Sequence, residues 1–88
     1  MYKEYDKDNH VIHFISDLGF EQWFEYKNNK LFYFKDKDIN NKIMECWYDN
    51  SEIERLIKVK ERNGEILTCK YDHGNHISYY DKTGKKVY

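Results

Sequence analysis

Short runs in which apolar and polar residues alternate follow one another along the chain, cut at intervals of about ten residues by turn-forming residues. The cuts fall at Asp6 to Asn9, Asp17 to Gly19, Asn28-Asn29, Asp36 to Asn41, Asp49 to Ser51, Asn63-Gly64, Asp72 to Asn75 and Thr83-Gly84. The runs between them are rich in β-branched and aromatic residues, which specifies antiparallel strands joined by tight turns. Strands are expected near 2–5, 10–15, 20–27, 30–35, 42–48, 53–60, 65–71, 76–80 and 85–88. Segment 52–62 supports two readings. Ser51-Glu52-Ile53-Glu54 fits a helix capping box, Ile53, Leu56 and Ile57 have helical spacing, and Gly64 can terminate a helix. Against that, Ile57 and Val59 alternate with Lys58 and Lys60, as a strand requires.

A longer period overlies the strands. Tyr5, Tyr26, Tyr48 and Tyr71 each close a strand and precede a polar turn, at steps of 21, 22 and 23 residues, and Trp23 and Trp47 echo them. Tyr5-Asp-Lys-Asp-Asn-His-Val11 aligns with Tyr71-Asp-His-Gly-Asn-His-Ile77 without a gap, and Tyr48-Asp-Asn-Ser-Glu-Ile53 fits with one residue removed. One hairpin cannot bury its apolar face alone, so degenerate copies stack into a continuous sheet. The fold class that follows is all-β: a single domain over 1–88, an antiparallel meander of seven to nine strands able to curl toward a half-barrel. Its core face is expected to hold Ile12, Phe14, Phe24, Tyr26, Phe32, Phe34, Leu67, Tyr71 and Tyr80.

Composition narrows the function classes. With 88 residues there is room for one thin core and little for a deep catalytic cavity, and 40% hydrophobic with 18% aromatic residues argues against disorder. The net charge of −1 and scattered lysines argue against direct nucleic-acid binding. No run approaches the ~20 apolar residues of a membrane span, and no apolar signal region follows Met-Tyr-Lys-Glu-Tyr-Asp, so a cytoplasmic location is expected. Cys46 and Cys69 read as small buried hydrophobes. His10 with His13 and His73 with His76 have an i, i+3 spacing that points to opposite faces of a strand or spans a turn, so neither a metal nor a cofactor is expected. Proline and alanine are absent while Asn, Lys, Tyr and Ile abound, a bias typical of AT-rich coding in low-GC bacteria and their phages.

Trp23-Phe-Glu-Tyr-Lys and Tyr2-Lys-Glu-Tyr-Asp, each followed by Asn, Asp or Gly turns and a short aromatic strand, resemble the tyrosine-aspartate and MORN-type β-hairpin repeats of bacteria over nearly the whole chain. Short proteins of such repeats are similar to immunity proteins of polymorphic interbacterial toxins, of the contact-dependent inhibition and Maf types. The resemblance implies a non-enzymatic inhibitor that binds a bacterial effector, often a nuclease toxin, and blocks it. Turn glycines of the repeat are replaced at Asn9, Asn29 and Ser51. The motif is a scaffold and transfers no catalytic residue.

Strand alternation supplies candidate contacts. Glu21, Trp23 and Glu25 share one face of their strand with charged neighbours, and Glu45 sits beside Trp47 on another. Tryptophan on a polar face is a residue type that carries interface energy. Residues 1–26 hold six acids against Lys3 and Lys7, a net of −4, and Asp6, Asp8 and Asp17 are the candidates for steering a basic nuclease site onto this surface. Two further classes remain open. One is a phage or mobile-element anti-CRISPR protein acting on a CRISPR effector. The other is a carbohydrate-binding or structural module, because Trp23-Phe24 and Leu31-Phe-Tyr-Phe34 resemble the aromatic hairpins of cell-wall-binding repeats. Open sheet edges also admit a homodimer or strand addition to a target.

Overall fold

Six five-residue turns organise the chain in the computed structural model, which describes all residues except 51–53 and 75 and, within strands, omits the side chains of Asn50 and Glu54. In the turn Asp6 to His10, the Asp6 amide donates to the His10 carbonyl and the Asn9 amide to the Asp6 carbonyl. The turns starting at Ser16, Asp38, Glu61 and Asp81 repeat both bonds, and that at Asp72 repeats the first. The fourth residue takes a left-handed conformation: Asn9, Gly19, Asn41, Gly64 and Gly84 all have φ between 61° and 95°. This is a type I turn followed by a left-handed residue, which sets the twist of a hairpin. Asn28 and Asn29, at φ 54° and 63°, form the two-residue turn of the shortest connection. Asparagine therefore does the conformational work of the missing glycines at Asn9 and Asn29, since its short polar side chain tolerates this region. Ser51 lies outside the described residues.

The turns join β1 (Tyr2–Tyr5), β2 (Val11–Ile15), β3 (Glu21–Lys27), β4 (Lys30–Lys37), β5 (Ile43–Asn50), β6 (Glu54–Lys60), β7 (Ile66–Tyr71) and β8 (Ile77–Tyr80). All eight lie in one antiparallel sheet in chain order, a meander that does not close into a barrel. The repeating tyrosines have a structural cause. Pairing steps from Glu4↔His13 to Tyr5↔Val11, from Glu25↔Tyr33 to Tyr26↔Leu31, and from Trp47↔Lys58 to Tyr48↔Leu56. Each step skips one residue, Ile12, Phe32 or Ile57, so Tyr5, Tyr26 and Tyr48 each mark a β-bulge at the same place in successive hairpins. Tyr71 pairs with Ile77 in the fourth hairpin, which keeps an even register.

Segment 54–60 is strand, and the described residues contain no helix, which corrects the helical alternative at 52–62. The strand register wins because it satisfies the backbone on both sides, against β5 and β7, while burying Val59 and sending Lys58 and Lys60 to the other face. The expected capping residues 51–53 are outside the described part. The ninth strand at 85–88 is reduced to a bridge, Tyr80↔Lys86, with the Val87 amide donating to the Tyr79 carbonyl at 2.8 Å.

One face of the sheet carries the apolar row Phe24, Phe34, Cys46, Val59 and Leu67, each directly opposite the next across five strands. Phe14 and Tyr79 lie on the same face. Cys46, Val59, Leu67 and Cys69 are buried, with Met44, Tyr48, Leu56 and Tyr79 packed against this cluster. Both cysteines are thus core residues with free thiols, which burial pushes up from their ordinary pKa. Parts of β4 and β6, which flank β5, approach within 8 Å between Cα atoms, closer than the ~9.6 Å of two flat strand spacings. The sheet bends there, at the strands that carry the buried Cys46 and Val59. Of the expected core, Leu67 is fully buried, and Phe14, Phe24 and Phe34 lie on the same face half-buried. Tyr80 is a correction: it is opposite Thr68 on the other face, and its neighbour Tyr79, opposite Cys69, packs on the core. Ile12 and Phe32 are bulge residues, Tyr26 stacks on His10 at 4.3 Å, and the Tyr71 hydroxyl donates to the Leu56 carbonyl.

Candidate partner-binding face

The register that buries the apolar row gathers the candidate contacts on the opposite face. His13, Trp23, Lys35, Glu45, Lys60 and Ile66 form one cross-strand row over β2 to β7. A second row runs Glu25, Tyr33, Trp47, Lys58, Thr68 and Tyr80. Glu21 lies in a third, opposite Ile15 and Lys37. Glu21, Trp23, Glu25, Glu45 and Trp47 therefore share one surface.

Their surroundings are built from cross-strand pairs, the unit of sheet stabilisation. Trp23 stacks on His13 with ring centroids 5.3 Å apart, and Lys35 places its ammonium 5.1 Å from the indole centroid. Trp47 packs on Tyr33 at 5.5 Å and carries Lys58 at 4.5 Å. Lys70 lies 4.9 Å from the Tyr80 ring. A cation over an aromatic face gains electrostatic attraction from the ring quadrupole. Glu21 accepts a 2.6 Å hydrogen bond from His13 Nε2 and pairs with Lys37 at 3.2 Å, and the His13 bond holds its carboxyl below the usual glutamate range. The Tyr33 hydroxyl donates to Glu45 at 2.5 Å, and burial together with that carboxylate pushes the phenol well up. Glu25 is exposed on the same face.

The three steering candidates are not brought together. Asp6 and Asp8 sit in the β1–β2 turn and Asp17 in the β2–β3 turn, at opposite ends of β2. Asp6 is committed to its turn, accepting the Asp8 and His10 amides at 2.9 Å each, and Asp17 binds the Met1 amino group at 2.6 Å. Asp6, Asp8 and His10 also place potential metal-ligand atoms within 4.8 Å of one another, with Asp6 Oδ1 already accepting both turn amides and Oδ2 3.1 Å from His10 Nδ1. Charge on the face is divided: Glu4, Glu21 and Glu25 lie on β1 and β3 and Glu45 on β5, while Lys35 and Lys37 lie on β4 and Lys58, Lys60 and Lys70 on β6 and β7.

His13, Tyr33, Lys35 and Lys58 frame the two tryptophans, a role that strand alternation alone does not assign to them. Their signal is the inter-strand register, which becomes readable only when each turn's length and each bulge is known. Comparison of the chain with protein-family models, with curated proteins and with solved structures gives no match, so the resemblance to bacterial hairpin-repeat and immunity proteins rests on its sequence motifs.

Proposed function

We propose that this chain is a small non-enzymatic inhibitor, an immunity protein that binds a bacterial effector inside the cell and blocks it, with a nuclease toxin as the target class. The observation that supports this reading is the grouping of Trp23 and Trp47 on one open face with Glu21, Glu25 and Glu45. Aromatic anchors in a setting of paired charges make a surface suited to a protein partner: the rings supply burial, and the charges supply register and specificity. Trp23 and Trp47 stand on alternate strands in adjacent rows, two strand spacings across and two residues along, roughly 12 Å apart, a separation that fits within the centre of a standard interface.

The test is affinity capture from lysate of the source strain and its lysogens with tagged wild type and with the Trp23→Ala/Trp47→Ala double variant. A single stoichiometric nuclease toxin, recovered by wild type and lost by a variant with an unchanged far-UV spectrum, supports the assignment. Full recovery by the double variant rejects the face. A CRISPR effector in place of the toxin would identify an anti-CRISPR protein, and enrichment on cell wall without a protein partner would identify a glycan-binding or structural module.

A further inference from the structure

The molecule is too thin for its mass. Its extents are 39 × 33 × 17 Å and its Cα radius of gyration is 14.6 Å, against about 12 Å for a compact 88-residue domain. It exposes 6399 Å², whereas a compact monomer of 10.9 kDa exposes about 5,600 Å². The excess of about 800 Å² equals what each partner contributes to a standard protein interface. A sheet with one apolar face ordinarily buries that face under a second layer, and this chain supplies one layer.

The uncovered part can be located. On β5 to β7 Cys46, Val59, Leu67 and Cys69 are buried, but on β2 to β4 the same face leaves Phe14, Phe24 and Phe34 half-buried. Phe24 and Phe34 are in ring contact at 5.0 Å. A groove of about 390 Å³ whose lining is mostly apolar, with Leu56, Val59, Leu67 and Tyr79 and the one acidic side chain Glu61, opens on the same face. The buried charge there is neutralised, since Asp36 is paired with Arg62 and accepts a hydrogen bond from Gln22 at 2.9 Å. Two other charges border the surface: Lys3, on the exposed outer strand, holds its ammonium 5.9 Å from the Phe14 ring at the edge of the patch, and Glu61 lines the groove. Both copies can keep these at a solvated rim, and a net charge of −1 gives two copies almost no mutual repulsion.

We propose that a second copy of this chain packs face to face over the Phe14, Phe24 and Phe34 side of the apolar surface, giving a two-fold symmetric two-layer sandwich that leaves the tryptophan face of each copy free. Joining the sheets edge to edge through β1 is the competing geometry, and its pairing is poor. A two-fold axis perpendicular to the sheet sets residues of the same face opposite each other. The registers that pair most of Tyr2–Tyr5 then put Lys3 against Lys3 or Glu4 against Glu4.

Sedimentation and small-angle scattering of the wild-type chain at roughly 100 μM test this without mutation. The expected result is twice the 10.9 kDa chain mass with a maximum dimension below about 60 Å, because stacking adds a sheet spacing of ~10 Å to the 17 Å thickness. A chain-mass monomer overturns the proposal and leaves the face to a different protein. A dimer about 80 Å long overturns it in favour of edge pairing. Phe14→Glu/Phe24→Glu should halve the mass while Trp23→Ala/Trp47→Ala leaves it unchanged, and the reverse pattern would move the dimer to the other face.

Discussion

Asp36 shows how much one residue can hold in a sheet this thin. It is 5% exposed, on the apolar face, and its carboxylate is held by Arg62 from beyond β6 and by Gln22 from β3. Arg62 also donates to the Lys42 carbonyl at 3.0 Å, so one side chain ties the end of β6 to the β4–β5 turn. Removing a partner from a buried pair is worse than removing both, because the remaining charge keeps its desolvation cost. Arg62→Leu should therefore lose about 3 kcal/mol in urea unfolding, the low end for such pairs because the arginine is a third exposed. Adding Asp36→Asn should restore part of that loss, and a double variant no more stable than the single would show that the pairing is not what Arg62 contributes. Sequence inspection placed Asp36 in a turn, since a carboxylate at a run boundary ordinarily signals one. Only the partner from a distant segment makes burial affordable there, and such a partner leaves no local signal.

At the scale of elements, the turns were legible and the bulges were not. Turn positions follow from Asn, Asp and Gly chemistry that acts within five residues, which is why all eight strands lie close to where alternation puts them. A bulge changes only the inter-strand count, and its trace in the sequence is the tyrosine period, whose meaning needed the register. Tyr80 was misplaced for the same reason: Tyr79 and Tyr80 are adjacent and equally aromatic, and only pairing to Cys69 decides which faces the core. The turns also fix a pH response. Asp6, Asp38 and Asp72 each have a carboxyl pKa below the ordinary aspartate value because backbone amides donate to it, and Asp81 does chiefly through the Thr83 side chain and the Lys85 amide. A depressed folded-state pKa contributes stability above the unfolded value of about 3.9, and that stability is lost as pH falls through the folded value. The melting temperature should thus drop steeply below about pH 4. Asp38→Ala should lower it at pH 7, and the deficit should shrink as pH falls through the lowered folded-state value of the wild-type carboxyl; a deficit that stayed constant throughout acid titration would mean the amide bonds do not act through the charge.

For the molecule as a whole, the division of charge across the tryptophan face predicts how association and dissociation separate. Acids lie on β1 and β3 with one more, Glu45, on β5, and lysines lie on β4, β6 and β7, so the field a partner meets is that of a dipole along the sheet rather than of a single acidic patch. Such a field orients an approaching molecule, and it is screened over ~8 Å at physiological ionic strength. Glu25 is exposed on this face, so its effect belongs to encounter. Trp47 packs between Tyr33 and Lys58, and its effect belongs to the docked state. With the captured effector in hand, Glu25→Gln should slow association a few-fold at low salt, leave dissociation unchanged, and become indistinguishable from wild type as salt approaches 0.5 M. Trp47→Ala should instead speed dissociation ten-fold or more at every salt concentration, as loss of a central anchor does. Stopped-flow or surface-binding kinetics read both rates directly. If Glu25→Gln changed dissociation while Trp47→Ala changed only association, the roles assigned to rim and centre would be inverted, and the binding surface would have to be centred on β3 rather than on β5.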